Sequence, residues 1–268
     1  MAKVLGVIGC GKMAYAILKG LTDSLSANFS GIYINDINSE RVSLFEKEFQ
    51  VKYLNQDELV KISDIIILAV KPQQVTEVMA QTKDLWESNK LLISIAAGIK
   101  TTVLEQRAGN QLPVIRVMPN TPCLVGDGVS AVTGGTYASE AEIEMVREMF
   151  GQLGVSVTVE EKQLDAVTAL SGSGPAYIFL VAESMINAGV LVGLDINLTR
   201  KLVLNTIKGS ISMLENSGEH PAVLRDQVCS PGGTTIAGVR QLEDNGIRRA
   251  FFNAVYDAYN RSIELGKD

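Results

Sequence analysis

The sequence predicts an α/β chain in two parts, a doubly wound parallel sheet over residues 1–160 and an all-helical part over residues 161–268. Three observations predict it. Short apolar runs rich in β-branched residues alternate with segments of helical period in the first part. The strand signal stops near residue 160 and does not return. A glycine pattern joins the first apolar run to the first helical segment, where open α/β sheets bind ligands.

The strand-like runs are 4–8, 32–35, 65–70, 91–95, 114–117, 129–133 and 155–159. Between them, segments such as 40–49, 73–86 and 140–150 carry apolar residues at i, i+3 and i+4. Continuous rather than alternating apolar strands mean a parallel sheet covered on both faces. Beyond residue 160, helices are expected over 162–170, 175–192, 198–215, 222–228, 234–244 and 247–265, with Gly193 ending the second and Asn197 capping the third. Residues 176–192 are apolar almost all round, which a small helical bundle cannot cover, so a homodimer at least is expected.

The composition excludes several classes. The chain has 268 residues, 46% hydrophobic and 20% charged, with net charge -6 and no basic stripe, so no nucleic-acid partner is expected. Arg248-Arg249 reads as a solvated helix face. The apolar start is broken by Gly9 and Gly11 and does not read as a signal peptide. Residues 176–192 contain Glu183, Ser184, Asn187 and Gly189 and fall short of a membrane span, so a cytoplasmic location is expected. Three cysteines (Cys10, Cys123, Cys229) form no CxxC pair, and the single histidine, His220, stands before Pro221 at a helix start. Neither a metal site nor a histidine relay is expected.

The segment Lys3 to Ala14 reads as a strand running into GxGxxA and then a helix. Gly9 permits the tight turn, Gly11 lets the backbone approach a pyrophosphate, and Ala14 lets helix pack on strand. A second strand ends in Asp36, 25 residues after Gly11, which completes a dinucleotide-binding (Rossmann) pattern. An acid there bonds ribose hydroxyls and repels a 2′-phosphate. NADH is therefore expected to serve at least as well as NADPH, although Arg41 stands near enough to receive a phosphate. The alternative is that Asp36 caps the helix starting near Asn38. Turns at Ala69-Val70-Lys71-Pro72, Ser94-Ile95-Ala96-Ala97-Gly98 and Met118-Pro119-Asn120-Thr121-Pro122 also follow strands.

Two glycine-rich helix starts lie in the second part: Ser171-Gly172-Ser173-Gly174-Pro175, and Cys229-Ser230-Pro231-Gly232-Gly233-Thr234-Thr235. Free amides at a positive dipole end suit a carboxylate. Plain capping by Ser and Thr is the competing explanation.

The ordered motifs GCGKMA, AVKP, SIAAG, RVMPNTP, LSGSGPAY and DQVCSPGGTTIAGV resemble the pyrroline-5-carboxylate reductases over essentially the whole chain. The resemblance implies a Rossmann domain, an interlocking helical dimerisation domain, often a ring of five dimers, and an active site between one subunit's cofactor and its partner's helices. It implies hydride transfer from NADPH or NADH to Δ1-pyrroline-5-carboxylate, giving L-proline. The cofactor would touch Ile8, Gly9, Cys10, Gly11, Lys12 and Met13, then Asn35 and Asp36, Gln56, the run Ala69, Val70, Lys71 and Pro72, and finally Ile95, Ala96 and Ala97. The substrate would meet Ser171, Ser230, Gly232, Gly233, Thr234 and Thr235, with Thr235 as catalytic partner of the ring nitrogen. The chain departs from the family pattern at Asn35-Asp36-Ile37, Gln56 and Gln227. A β-hydroxyacid dehydrogenase would need a lysine in the first long helix, and residues 174–193 contain none. A non-catalytic dinucleotide sensor would leave the SPGGTT loop without a purpose.

Overall fold

The computed structural model describes residues 3–21 and 29–266. The chain divides into two compact units, Met1–Ser173 with Ala258–Asp268, and Gly174–Asp257.

The first unit is built on an eight-stranded sheet. Its strands are β1 (Lys3–Ile8), β2 (Phe29–Asn35), β3 (Lys52–Tyr53), β4 (Ile65–Leu68), β5 (Leu91–Ser94), β6 (Val114–Pro119), β7 (Gly128–Gly134) and β8 (Gly154–Thr158), in the order β3-β2-β1-β4-β5-β6-β7-β8. Helices α1 (Lys12–Gly20), α2 (Ser39–Glu48), α3 (Gln56–Ile62), α4 (Pro72–Gln81), α5 (Thr101–Ala108) and α6 (Glu140–Gly151) join them. Residues alternate between two apolar clusters, one on each face. Leu5, Val7, Ile65, Ile67, Leu91 and Ile93 belong to one, and Ile8, Ile66, Leu68 and Leu92 to the other. β4, Ile65-Ile66-Ile67-Leu68, is buried throughout, which is why it reads as an unbroken apolar run.

β1 to β6 are parallel, as expected, but β7 runs antiparallel to β6. The connection from Pro119 to Gly128 holds only the 3₁₀ turn Thr121–Val125, too short for the crossover that a parallel neighbour requires. The expected run 73–86 is shorter than its periodicity suggested, because α4 stops at Gln81 and a 3₁₀ turn, Lys83–Leu85, follows.

Strand structure ends at Thr158, but the sheet unit continues through α7 (Leu164–Val167) and a π-type turn, Thr168–Gly172, and takes back the chain end from Ala258. A partly buried polar network accompanies this. Glu161 accepts the Thr101 N–H at 2.7 Å and the Thr101 hydroxyl at 2.9 Å, and pairs with Arg116 of β6 at 3.5 Å. Ser262 donates to Asp165 at 2.6 Å. Burial lowers the proton affinity of the Arg116 guanidinium, and the Glu161 and Asp165 carboxylates oppose that effect.

The second unit comprises α8 (Gly174–Leu191), α9 (Ile196–Ser217), α10 (Pro221–Gln227), α11 (Thr234–Asp244) and most of α12 (Ile247–Leu265). Asp195, not Asn197, caps α9. Its carboxylate accepts the Asn197 and Leu198 amides at 2.9 and 3.1 Å, so the cap lies two residues before the expected one and the helix starts earlier. His220 caps α10, its Nδ1 accepting the Ala222 N–H at 3.2 Å. Among the described residues of this unit only Ala182, Thr199 and Val203 are buried, while Phe179, Leu191 and Phe252 are 67%, 87% and 76% exposed. The unit has almost no core of its own. Taken with the helical turns before it, Glu161–Leu191 is long and apolar enough to cross a membrane by length and composition.

The network around Arg116 gives a stability prediction. Glu161→Ala strands a buried cation and is expected to lower the unfolding free energy of the sheet unit by about 3 kcal/mol. Fluorescence of the single, fully buried tryptophan, Trp86, reports that unit during urea titration. An unchanged midpoint would show that Glu161 does not hold Arg116.

Candidate active site

Because β1, β2, β4, β5 and β6 are parallel, their C-terminal ends share one edge of the sheet, and the glycine-rich loop lies there. Gly9 has φ +100°, and a Cβ on it would meet the Ala69 carbonyl oxygen at 2.7 Å. Its amide bonds the Asn35 carbonyl at 2.8 Å, so only glycine serves. Gly11 begins α1 with no side chain capping the helix, and nothing lies within 4 Å of the position of a Cβ. Open space in front of uncapped amides is what a pyrophosphate requires. Ala14 is buried, letting α1 settle on the sheet.

The acid at the end of β2 has a second role. One oxygen of Asp36 accepts the Cys10 N–H at 2.6 Å, and the other accepts the Asn38 N–H at 2.8 Å. Arg41 donates from Nε to the Cys10 carbonyl at 2.7 Å, with its guanidinium over the Phe45 ring. The carboxylate and guanidinium thus hold Cys10 on both its amide and its carbonyl. The cap of α2 is Asn38, which accepts the Glu40 and Arg41 amides at 2.9 and 3.2 Å. Burial, then the Asp36 carboxylate, push the Cys10 thiol up to about 12, against a smaller opposing effect of Arg41. The thiol is therefore held protonated at neutral pH.

These groups line a cleft of about 730 Å³. It brings together Ile8, Gly9, Cys10, Gly11, Lys12, Asn35, Asp36, Gln56, Ala69, Val70 and Lys71, all expected from the sequence. Met13 and Ile95 pack against a core cluster instead, Ala96 is buried, and Pro72 and Ala97 are half-buried outside the cleft lining. The sequence reading did not assign Gln74, Glu77, Val78 and Gln81, which also line it. Their i, i+3, i+4, i+7 spacing along α4 marks one helix face, and that was the available signal. Gln56 reaches this face, donating to the Val78 carbonyl at 3.3 Å and to Gln81 at 3.4 Å.

The first glycine-rich helix start spans the boundary between the units at Ser173, and the second lies within the helical unit. Ser171 lies in the π-type turn and donates its hydroxyl to the Val167 carbonyl at 3.0 Å. In the helical unit, Gly232 turns the chain at φ +68° with open space about it. The Gly233 amide bonds the Ser230 carbonyl at 3.0 Å, and a Cβ on Gly233 would strike the Ser230 hydroxyl at 2.3 Å. Gly233 begins α11 with no side-chain cap. Capping by Ser or Thr is therefore not the purpose of this segment. Thr234 is exposed and Thr235 half-buried. No cluster of metal-ligating side chains occurs among the described residues.

Residues 161–265 match the family model for pyrroline-5-carboxylate reductase dimerisation, and residues 4–98 match that for NADP oxidoreductase, coenzyme F420-dependent. The pyrroline-5-carboxylate reductase of Pisum sativum is 43% identical over 97% of this chain and 95% of its own. Among solved structures, the Plasmodium falciparum pyrroline carboxylate reductase with NADP bound superposes with a TM-score of 0.88 at 35% identity, covering 98% of each chain. A pyrroline-5-carboxylate reductase from Coxiella burnetii gives 0.89 at 30% identity over the full length of both.

The double role of Asp36 has a measurable consequence. Asp36→Ala should weaken both NADH and NADPH by about tenfold, roughly 1.4 kcal/mol, because the glycine loop loses its brace, with NADPH losing less. Calorimetric titration with each dinucleotide checks this. Tighter NADPH binding in the variant would confine Asp36 to the ribose.

Proposed function

Since the chain belongs to the pyrroline-5-carboxylate reductase family, we propose that it binds the substrate carboxylate on the amides opening α11 and uses Thr235 at the ring nitrogen. The enzyme reduces the C=N bond of Δ1-pyrroline-5-carboxylate to give L-proline. The dinucleotide, NADPH or NADH, supplies the hydride when bound at the glycine loop. The observation that supports the substrate assignment is the uncapped helix start at Gly233, reached through Gly232 in a left-handed turn. A helix N-terminus with free amides favours a carboxylate and fixes the ring by one end.

Hydride addition at the imine carbon, C2 of the pyrroline ring, moves the C=N electron pair onto nitrogen; an unprotonated imine then takes up a proton at that atom, whereas an iminium already carries it. A hydroxyl can donate or accept there without carrying charge. Thr235, in the first turn of α11 and half-buried, takes this role, Ser230 and Thr234 lie beside the carboxylate, and Ser171 borders the ring. An iminium needs little acid assistance, in keeping with a single histidine whose ring caps α10.

The helical unit is a dimerisation unit, and a second copy of the chain covers its exposed apolar side chains. A ring of such dimers extends this reading.

Thr235→Ala is expected to lower kcat by about 10²-fold, with cofactor affinity unchanged because the cleft belongs to the other unit. Thr235→Ser recovers most activity, and Thr235→Val behaves as alanine. Wild-type kcat in the valine variant would leave the hydroxyl without a chemical role.

A further inference from the structure

Pro175 creates a defect that another part of the chain repairs. In a continuous helix the Ser171 carbonyl would accept the N–H of residue 175, and proline has none. The turn accommodates this by adopting π form over Thr168–Gly172, closed by the Ser173 N–H on the Thr168 carbonyl at 2.9 Å. The Ser171 carbonyl is left over. Asn120, in the loop after β6, donates its Nδ2 to that carbonyl at 3.1 Å. The other end of the same amide accepts the Val129 N–H of β7 at 2.9 Å. Asn120 is only 7% exposed, so neither half of its amide can be replaced cheaply by water. Beside it, Gly172 packs so closely that an added Cβ would stand 2.8 Å from the Met118 Cε.

We propose that Asn120 is a positioning residue for the reaction, fixing the Ser171–Gly174 turn to the C-terminal edge of the sheet in the place of the missing Pro175 N–H. This rests on the assignment of Ser171 to the substrate side made above. The amide sets where the turn sits relative to β6 and β7 and touches neither substrate nor dinucleotide. π-type turns inside helices recur at functional sites, and here the cause is a proline and the restraint is one side chain.

The test separates the two halves of the amide. Asn120→Asp keeps the acceptor for Val129 and loses the donor to Ser171. The expected result is a fall in kcat/KM for pyrroline-5-carboxylate of about tenfold or more, expressed mainly in KM, with unchanged dinucleotide affinity. Backbone hydrogen exchange over residues 168–175 should quicken in the same variant, a readout that does not depend on turnover. Adding Pro175→Ala restores an N–H for the Ser171 carbonyl. It should recover thermal stability without recovering kcat/KM, since the turn is satisfied but no longer tied to the sheet. Recovery of both would make Asn120 a purely structural donor and overturn the proposal. Asn120→Gln, which keeps the amide and the fold, should show the same kinetic signature at smaller size. Wild-type kinetics in either folded variant likewise overturns it. A wild type that fails to turn over pyrroline-5-carboxylate would instead defeat the reaction assigned above, leaving the exchange result to judge the restraint.

Discussion

The double burial of the parallel strands is the constraint from which the site follows. A strand covered on both faces has no polar side to give away, so β4 is apolar along its whole length and β1 nearly so. Such strands can bring polar groups together only where they end. Parallel pairing puts those ends on one edge, and the loops after β1, β2 and β4 meet there to form the cleft. The glycine loop is the tightest of these junctions. Its shape is fixed twice, by the backbone angle and close packing at Gly9 and by the Asp36 and Arg41 bonds to Cys10.

Much of this was legible in the sequence because it is periodic or local. Continuous apolar runs located the seven longer strands, the glycine spacing located the loop, and Pro221 after His220 located a helix start. What escaped depends on contacts distant in sequence or on details of chain length. The reversal at β7 follows from a short connection rather than from any pattern in β7 itself. The lining residues of α4 mark one helix face by their spacing, but the sequence alone does not say that this face meets the cleft. The bond from Asp36 to the Cys10 amide spans 26 residues, and that from Asn120 to Ser171 spans 51. A proline after a glycine-rich stretch marks a helix start plainly enough, but it does not say who supplies the donor it removes.

The two units differ in how they are stabilised. The sheet unit holds two apolar clusters and a partly buried ionic network, and its polar groups are largely matched inside it. The helical unit places long apolar helices side by side with hardly a buried side chain, so its hydrophobic stabilisation comes from association rather than from internal packing. The dinucleotide loop needs a rigid platform, whereas a shared helical layer allows two chains to order one another.

A helical layer with hardly a buried side chain of its own also has a genetic meaning. Damage to the nucleotide cleft leaves the helical surface intact, so a defective chain still pairs with sound ones and occupies their partners. Damage to the helical surface removes the chain from the pool altogether. A mixed pair therefore keeps the sound chain's cleft, and a lesion in the cleft removes activity only in proportion to its share of the chains.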